Sequence, residues 1–353
     1  LARGLKQDME FKTEILENNN VMIDDQFIGK ISGLKLELDL KKGALETDIK
    51  SLKKAARQTI GPEFEKRIQS IIDTDLIKLK DDFKIYWNNF PIAKLSVGID
   101  YLNPNFNLII DDIVEQGPKQ ELNEYVHKWI NNKINTVLKS LVDLKNINEN
   151  NSSIKALAYQ LYENNGVLKR ENVVDYLKNL EQKERKILRE LGVKFGRYHV
   201  FLHQLIKPEA VSLRTLLWKN FQQKFYTLKP PTFGLNFLED KNSNNQSFML
   251  LCGYEKFDNL FVRIDILERL FMLIIKSSSI EKKEIKMTAE MLNLLGCSKE
   301  NFIKLLKNMN YSVFNKEEET YFKYRPTKKL KKVDLKKISK ENPFKVLKNL
   351  NLR

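Results

Sequence analysis

The run from Arg185 to Trp218 constrains the fold most, because its apolar spacing changes twice over a short distance. The leucines before Gly192 have helical spacing, and the glycine follows where a left-handed residue commonly ends a helix. Apolar residues of Val193–Phe201 then have the spacing of short extended segments, and Pro208 suits the first turn of a second helix. A helix, a buried extended link and a second helix predict the interior of a folded domain.

The core of this run, LRELGVKFGRYHVFLHQLIKPEAVSLRTLLW, resembles a family of bacterial, mainly alphaproteobacterial, superfamily 2 ATP-dependent RNA helicases. These helicases are similar to the mitochondrial RNA-degradation helicase. The resemblance returns at Gly253–Leu270, Thr288–Ser298 and Asn342–Leu347, whereas His203 stands where the family usually has proline. It covers the region that follows the motor domains. It therefore implies an accessory C-terminal region, with ATP and Mg²⁺ bound by motor domains that are absent from this chain.

Composition favours a polyanionic partner. The 353 residues carry a formal net charge of +15 and a pI near 9.4. This charge is typical of proteins that bind nucleic acids. The alternative is a solvated basic surface in a protein from a lysine-rich proteome. Two widely separated cysteines, Cys252 and Cys297, predict neither a disulfide framework nor a metal site and indicate a reducing, cytoplasmic setting. The sequence has no apolar run long enough for a membrane span. Because Leu1 is not methionine, we expect the chain to be the downstream piece of a longer protein.

The first 147 residues predict two tandem modules, each made of three strands and a helix. The segment Phe27–Gly33 aligns with Phe90–Gly98, with two residues inserted. Each segment leads through a strand into a long helix, Glu46–Ile72 with a possible break at Gly61-Pro62, and Gln120–Leu144. The alternative is a chance similarity of two hairpins. The predicted modules span residues 1–75 and 76–147.

The rest of the chain predicts a helical middle domain over 148–235, a winged helix-turn-helix over 248–325 and a basic tail over 326–353. The polar stretches 146–153 and 240–247 mark the boundaries. In the last domain, helices starting at Ile264, Thr288 and Ser298 precede a hairpin with strands Tyr311–Phe314 and Tyr321–Tyr324. The fold class is therefore α+β.

The third of these helices carries the predicted nucleic-acid-binding residues. Its core side is apolar, which leaves a polar face that also includes Glu300. The hairpin, the tail and the middle domain contribute further cations. The predicted residues are Lys304, Lys307, Asn308, Lys323, Arg325, Lys328, Lys329, Lys194 and Arg197. The alternative is a solvated helix face in a winged helix that contacts protein.

The sequence carries no recognisable catalytic motif. Gly29-Lys30 lacks the earlier glycine and the hydroxyl residue of a phosphate-binding loop. His199 and His203 have metal-ligand spacing without a nearby third ligand, so no metal is predicted. The acidic pairs at 24–25, 81–82 and 111–112 are expected to cap backbone donors.

These observations predict a nucleic-acid-binding accessory region of an ATP-dependent RNA helicase, whose enzymatic activity would reside in the motor of the parent protein. RNA is the favoured partner, and DNA is an alternative. Two other functions stay open: a winged-helix DNA-binding regulator, and a scaffold that recruits a protein partner, for example through the tail. No membrane partner is expected.

Overall fold

The computed structural model describes residues 13–23, 26–39, 46–147, 152–240, 245–277, 284–316 and 318–325. Helices and several small antiparallel sheets confirm the α+β class. The chain divides into two compact units. The first comprises residues 1–233 and 247–253, and the second comprises residues 234–246 and 254–353.

The first unit begins with two four-stranded antiparallel sheets, each with its strands in sequence order and each followed by a long helix. The first sheet and its helix are β1 (Thr13–Ile15), β2 (Asn20–Ile23), β3 (Gln26–Ser32), β4 (Lys35–Leu38) and α1 (Glu46–Thr74). The second sheet and its helices are β5 (Ile77–Leu79), β6 (Lys84–Trp87), β7 (Phe90–Asp100), β8 (Asn103–Leu108), α2 (Gln116–Val137) and α3 (Lys139–Lys145). Each sheet thus has one strand more than the sequence predicted. The additional strands are β1 and β5, which are only three residues long and were not recognised for that reason.

The second sheet repeats the hydrogen bonds of the first at an offset of 64 residues (19 to 83, 31 to 95). The Ile31 amide donates to the Asn19 carbonyl at 2.8 Å, and the Leu95 amide donates to the Phe83 carbonyl at 2.8 Å. Asn19 and Phe83 both have positive φ, 65° and 64°. Both sheets also shift register at the equivalent place, between β2 and β3 and between β6 and β7, and the second sheet shifts again between β7 and β8. Shared hydrogen bonds, backbone angles and bulges make the two sheets copies of one structural unit.

The second copy differs by a longer last hairpin, in which residues 97–104 replace residues 33–34. The added segment places Tyr101 against Tyr162, with ring centroids 6.2 Å apart, and buries Leu102. Beside it, Lys145 forms an ion pair with Asp100 at 2.6 Å. The insertion therefore fixes the second sheet to the helices that follow it.

Two helix predictions in these modules need correction. Helix α1 continues through Pro62, where the sequence allows a break, because Ile60, Phe64 and Ile68 stay buried along one side of it. A proline removes one backbone donor, and tertiary packing offsets that loss here. The helix predicted over Gln120–Leu144 is instead divided at Leu138 into α2 and α3.

The remainder of the first unit combines short helices with a three-stranded sheet in the order β10-β11-β9. Its elements are α4 (Ser152–Glu163), β9 (Val167–Lys169), α5 (Val174–Lys178), α6 (Gln182–Glu190), β10 (Val193–Phe195), β11 (His199–Leu202), α7 (Pro208–Gln222) and α8 (Gln246–Leu251). The sequence predicts helices over Ile154–Glu163 and Glu171–Leu191 in this region. The second is interrupted, because Glu181 and Glu184 form a capping box that starts α6 anew. Gly192 follows α6 with φ of 91°, as the left-handed helix end predicted.

Arg214 of α7 lies fully buried at the centre of this region. Its guanidinium donates to the carbonyls of Asn165 at 2.7 Å, Leu205 at 3.1 Å and Leu251 at 2.5 Å. Burial lowers the pKa of Arg214 to about 10. One side chain thus joins the turn after α4, the segment before α7 and the end of α8.

In the described part of the second unit, the chain forms two three-stranded antiparallel sheets and three helices. Its elements are β12 (Phe237–Glu239), β13 (Tyr254–Phe257), β14 (Leu260–Arg263), α9 (Ile264–Ser277), β15 (Ile285–Lys286), α10 (Ala289–Leu295), α11 (Lys299–Asn308), β16 (Tyr311–Lys316) and β17 (Glu319–Tyr324). The strand orders are β12-β14-β13 and β15-β17-β16. Phe302, Leu305 and Phe322 are fully buried and form the centre of the packing between α11 and the second of these sheets.

Candidate nucleic-acid interface

Helix α11 is positioned by N-terminal helix caps that are recognisable in the sequence. The Thr288 hydroxyl accepts from the Met291 amide at 3.4 Å and starts α10, which ends at Gly296 with φ of 68°. The Ser298 hydroxyl then accepts from the Asn301 amide at 3.2 Å and starts α11. A left-handed glycine followed by a serine cap fixes the short turn between the two helices.

The two sides of α11 differ sharply in burial. Phe302, Leu305 and Leu306 are 0% exposed. Lys304 and Lys307, one turn apart, are exposed and form no ion pair among the described residues, which agrees with their predicted outward orientation. Such a pair of ammonium groups suits contact with phosphates, since each can approach an anion without first breaking an ion pair.

Polar neighbours limit the contacts that the exposed face of α11 can make with nucleic-acid bases. The Asn308 amide donates to the Phe257 carbonyl at 3.4 Å, so this exposed side chain also contacts the turn between β13 and β14. Lys304 lies 3.5 Å from the Asn301 amide oxygen. Hydrogen bonds from its own backbone amide and from Ser298 lower the pKa of Glu300, so this carboxylate stays ionised at the start of the helix. The arrangement favours phosphate contact near Lys304 and Lys307 over base reading at the helix start.

The hairpin β16–β17 provides two more predicted residues. Lys323 and Arg325 are exposed, the Lys323 carbonyl accepts from the Ser312 hydroxyl at 3.2 Å, and the Arg325 amide donates to the Asn310 carbonyl at 2.8 Å. These main-chain bonds fix the backbone of both residues. Neither side chain has an ion-pair partner in the described part of the chain, so both can meet a polyanion.

Sequence reasoning passed over two other lysines of this hairpin region, and the structure pairs both with glutamates. Lys316 binds Glu284 at 2.6 Å, and Lys286 binds Glu319. The bond to Lys286 lowers the pKa of Glu319 and raises that of the lysine. These two pairs contribute little net charge to the hairpin.

The remaining predicted residues lie elsewhere. Lys194 on β10 and Arg197 after it are exposed in the first unit, whereas α11 and the hairpin belong to the second. Lys328 and Lys329 fall outside the described residues. The structure therefore brings together Lys304, Lys307 and Asn308 on one helix and Lys323 with Arg325 on the adjoining hairpin.

The other residue patterns considered for chemistry have structural roles. Asp111 accepts from the Leu36 amide and the Ile113 amide, both at 3.2 Å, as expected for an acidic pair that caps backbone donors. A Cβ at Gly29 would lie 2.2 Å from the Glu37 carbonyl oxygen, so this glycine permits close approach of two strands. His199 is buried on β11 and His203 is exposed in the next segment. Across the described ranges, no three His, Cys, Asp or Glu residues cluster in a way that could hold a metal ion.

A groove of about 490 Å³ in the first unit carries charges of both signs. Its charged lining residues are Lys139, Asp143, Glu190, Lys207 and Glu209. Three carboxylates against two lysines make it a poor phosphate site.

No family model, curated protein or solved structure matches the chain. The helicase resemblance thus depends on the sequence blocks quoted above. Among the described helices, none has both the length and the apolar character needed to cross a membrane.

Proposed function

We propose that this chain is the nucleic-acid-binding C-terminal accessory region of an ATP-dependent RNA helicase. The four separated sequence blocks support the helicase assignment. ATP and Mg²⁺ would be bound by motor domains outside this chain. The two free cysteines, Cys252 and Cys297, suit a cytoplasmic protein on this proposal.

A winged helix in the second unit is part of the proposal. Helix α9, strand β15, helices α10 and α11 and a hairpin follow one another in the order of that motif. The first strand pairs with the last, which gives the order β15-β17-β16. This arrangement supports a winged helix with α11 as its exposed recognition helix.

The observation that carries the binding proposal is the pair Lys304 and Lys307, exposed on α11 without carboxylate partners among the described residues. In an accessory region, this face would hold the phosphate backbone of RNA while the motor hydrolyses ATP. Loose backbone contact agrees with the ionised Glu300 nearby, which would oppose deep insertion into a groove.

The test is a Lys304→Ala, Lys307→Ala double variant titrated with fluorescein-labelled RNAs of different sequence at several salt concentrations. Loss of two phosphate contacts should reduce the salt slope of binding by roughly 1.4, about 0.7 for each lysine, and weaken all sequences alike. The matched control is Lys183→Ala, Lys186→Ala, which removes two exposed lysines of the same spacing from α6.

Parental affinity and slope in the α11 variant would overturn the assignment of this face. Weakening confined to particular duplex sequences would instead support a DNA-binding regulator. The accessory role has its own test: the purified chain should hydrolyse no ATP with or without RNA. RNA-stimulated turnover that a point substitution within the chain abolishes would contradict it.

A further inference from the structure

The two copies of the four-stranded sheet share a backbone pattern but carry different charges on their outer faces. Strands alternate their side chains between faces, and cross-strand partners lie on the same face. Ile77, Ile85 and Ala93 are buried on the inner face of the second sheet. Their strand neighbours Lys78, Lys84 and Lys94 therefore lie on the outer face, where Lys78 and Lys94 are exposed and Lys84 is partly exposed.

Along its described strands, the outer face of the first copy is electrically balanced. The charged residues there are Glu14, Lys30, Lys35 and Glu37. Lys30 stands directly opposite Glu37 across β3 and β4, and opposite Asn20 across β2 and β3. Opposite charges on adjacent strands stabilise a sheet by up to about 1 kcal/mol. The first copy thus has the charge pattern expected of a surface selected for stability.

The outer face of the second copy, which we call the basic sheet face, carries four lysines and one aspartate, a net charge of +3. Its charged residues are Lys78, Lys80, Lys84, Lys94 and Asp82. Asp82 lies 3.8 Å from Lys84, and the other three lysines have no ion-pair partner among the described residues. The Asp82 carboxylate also accepts from the Tyr86 hydroxyl at 2.6 Å, so its charge is shared between two neighbours.

The pairing in the basic sheet face opposes stability. Lys84 stands directly opposite Lys94, where the first copy has Asn20 opposite Lys30. Lys94 then faces Asn107, where the first copy has Glu37. Like charges directly opposite each other destabilise a sheet. A polyanion bound to the face would offset this repulsion. Ligand binding therefore accounts for these lysines, whereas the stability of the sheet does not.

We propose that the basic sheet face binds the phosphate backbone of single-stranded nucleic acid. Lys78, Lys84 and Lys94 lie on β5, β6 and β7, so they span about 10 Å across neighbouring strands. Tyr86 lies among them, partly exposed, with Lys80 Nζ 4.0 Å from its ring centroid. A sheet face that combines exposed lysines with a partly exposed aromatic ring suits a single strand, whose phosphates and unstacked bases are both accessible. This inference rests on the proposed function and assigns it a second surface in the first unit.

The test is a Lys84→Asn, Lys94→Gln double variant of the full chain, titrated with a fluorescein-labelled oligouridylate of about 20 nucleotides. Loss of two contacts should reduce the salt slope by roughly 1.4 and weaken binding about tenfold near physiological salt. The variant should melt at or above the parental temperature, because it also removes the Lys84–Lys94 repulsion. The first copy supplies the matched control: Lys30→Gln, Lys35→Gln removes two lysines from the equivalent face and should leave affinity and slope at parental values.

Parental binding by the Lys84→Asn, Lys94→Gln variant would overturn the inference, and so would an equal loss in the Lys30→Gln, Lys35→Gln control. Equal weakening for a duplex of the same length would overturn the single-strand assignment. Measuring the α11 variant Lys304→Ala, Lys307→Ala in parallel separates the two proposals. If the α11 variant loses affinity and the sheet variant binds like the parent, the basic sheet face is rejected and α11 is retained. If the sheet variant loses affinity and the α11 variant binds like the parent, the basic sheet face is retained and α11 is rejected.

Discussion

Replacing Gly192 by valine should destabilise the first unit through the backbone and not through crowding. Gly192 has φ of 91°, and a Cβ built there would meet Ser140 Cβ at 3.7 Å and Leu202 Cδ2 at 4.0 Å, which are ordinary contacts. The cost therefore comes from forcing a β-branched residue into a left-handed backbone, which is about 2 kcal/mol. For a unit of this size, that cost corresponds to a fall in Tm of roughly 4–8 °C.

Tryptophan fluorescence isolates this transition, because Trp87, Trp129 and Trp218 all belong to the first unit. Gly192→Asn is the matched control, because asparagine adopts a left-handed backbone more readily than a β-branched residue does. The asparagine variant should therefore lose less stability than the valine variant. A Gly192→Val variant that melts with the parent would refute the backbone argument, and so would an equal loss of stability in the two variants.

Two other predictions concern buried groups of the first unit. Arg214→Lys should lower the free energy of unfolding by at least about 2 kcal/mol, measured by tryptophan-detected urea titration. One ammonium group cannot reach the three carbonyls that the guanidinium spans, so buried carbonyls are left unpaired. Parental stability of the variant would contradict this role of Arg214. Burial raises the pKa of Cys252 from 9.0 to about 12, so above pH 9 the unfolded state binds fewer protons and stability falls as pH rises. Between pH 9 and pH 10 the loss should be about 1 kcal/mol, and a Cys252→Ala variant should lack that part of the decline.

Local signals in the sequence predicted much of the second unit. Thr288, Gly296 and Ser298 mark helix ends by their own chemistry, and the apolar stripe of α11 fixes which side faces solvent. The exposure of Lys304 and Lys307 follows from that stripe. These features depend on residues within one or two turns of each other, which is why a single sequence suffices.

Features set by distant contacts were missed. Arg214 looks like a surface residue of an amphipathic helix, and its three carbonyl partners lie in segments far apart in the chain. One local signal was also missed: the capping box between Glu181 and Glu184, only three residues apart, divides the helix expected over Glu171–Leu191. The basic sheet face was missed because it becomes visible only when the register places Lys84 opposite Lys94. The alternating pattern Lys78-Leu79-Lys80 was the sequence signal that could have indicated a basic face on this strand.

Binding of the unmodified chain to single-stranded RNA, measured by fluorescence anisotropy as a function of salt, tests the account most directly. If either lysine surface holds the phosphate backbone, the plot of log affinity against log salt should be linear with a slope of about −2 or steeper, as three or more phosphate contacts require. The affinity should vary little with RNA sequence. Absence of binding at low salt, or an affinity that does not change with salt, would contradict the central claim that this chain binds nucleic acid through its lysine surfaces.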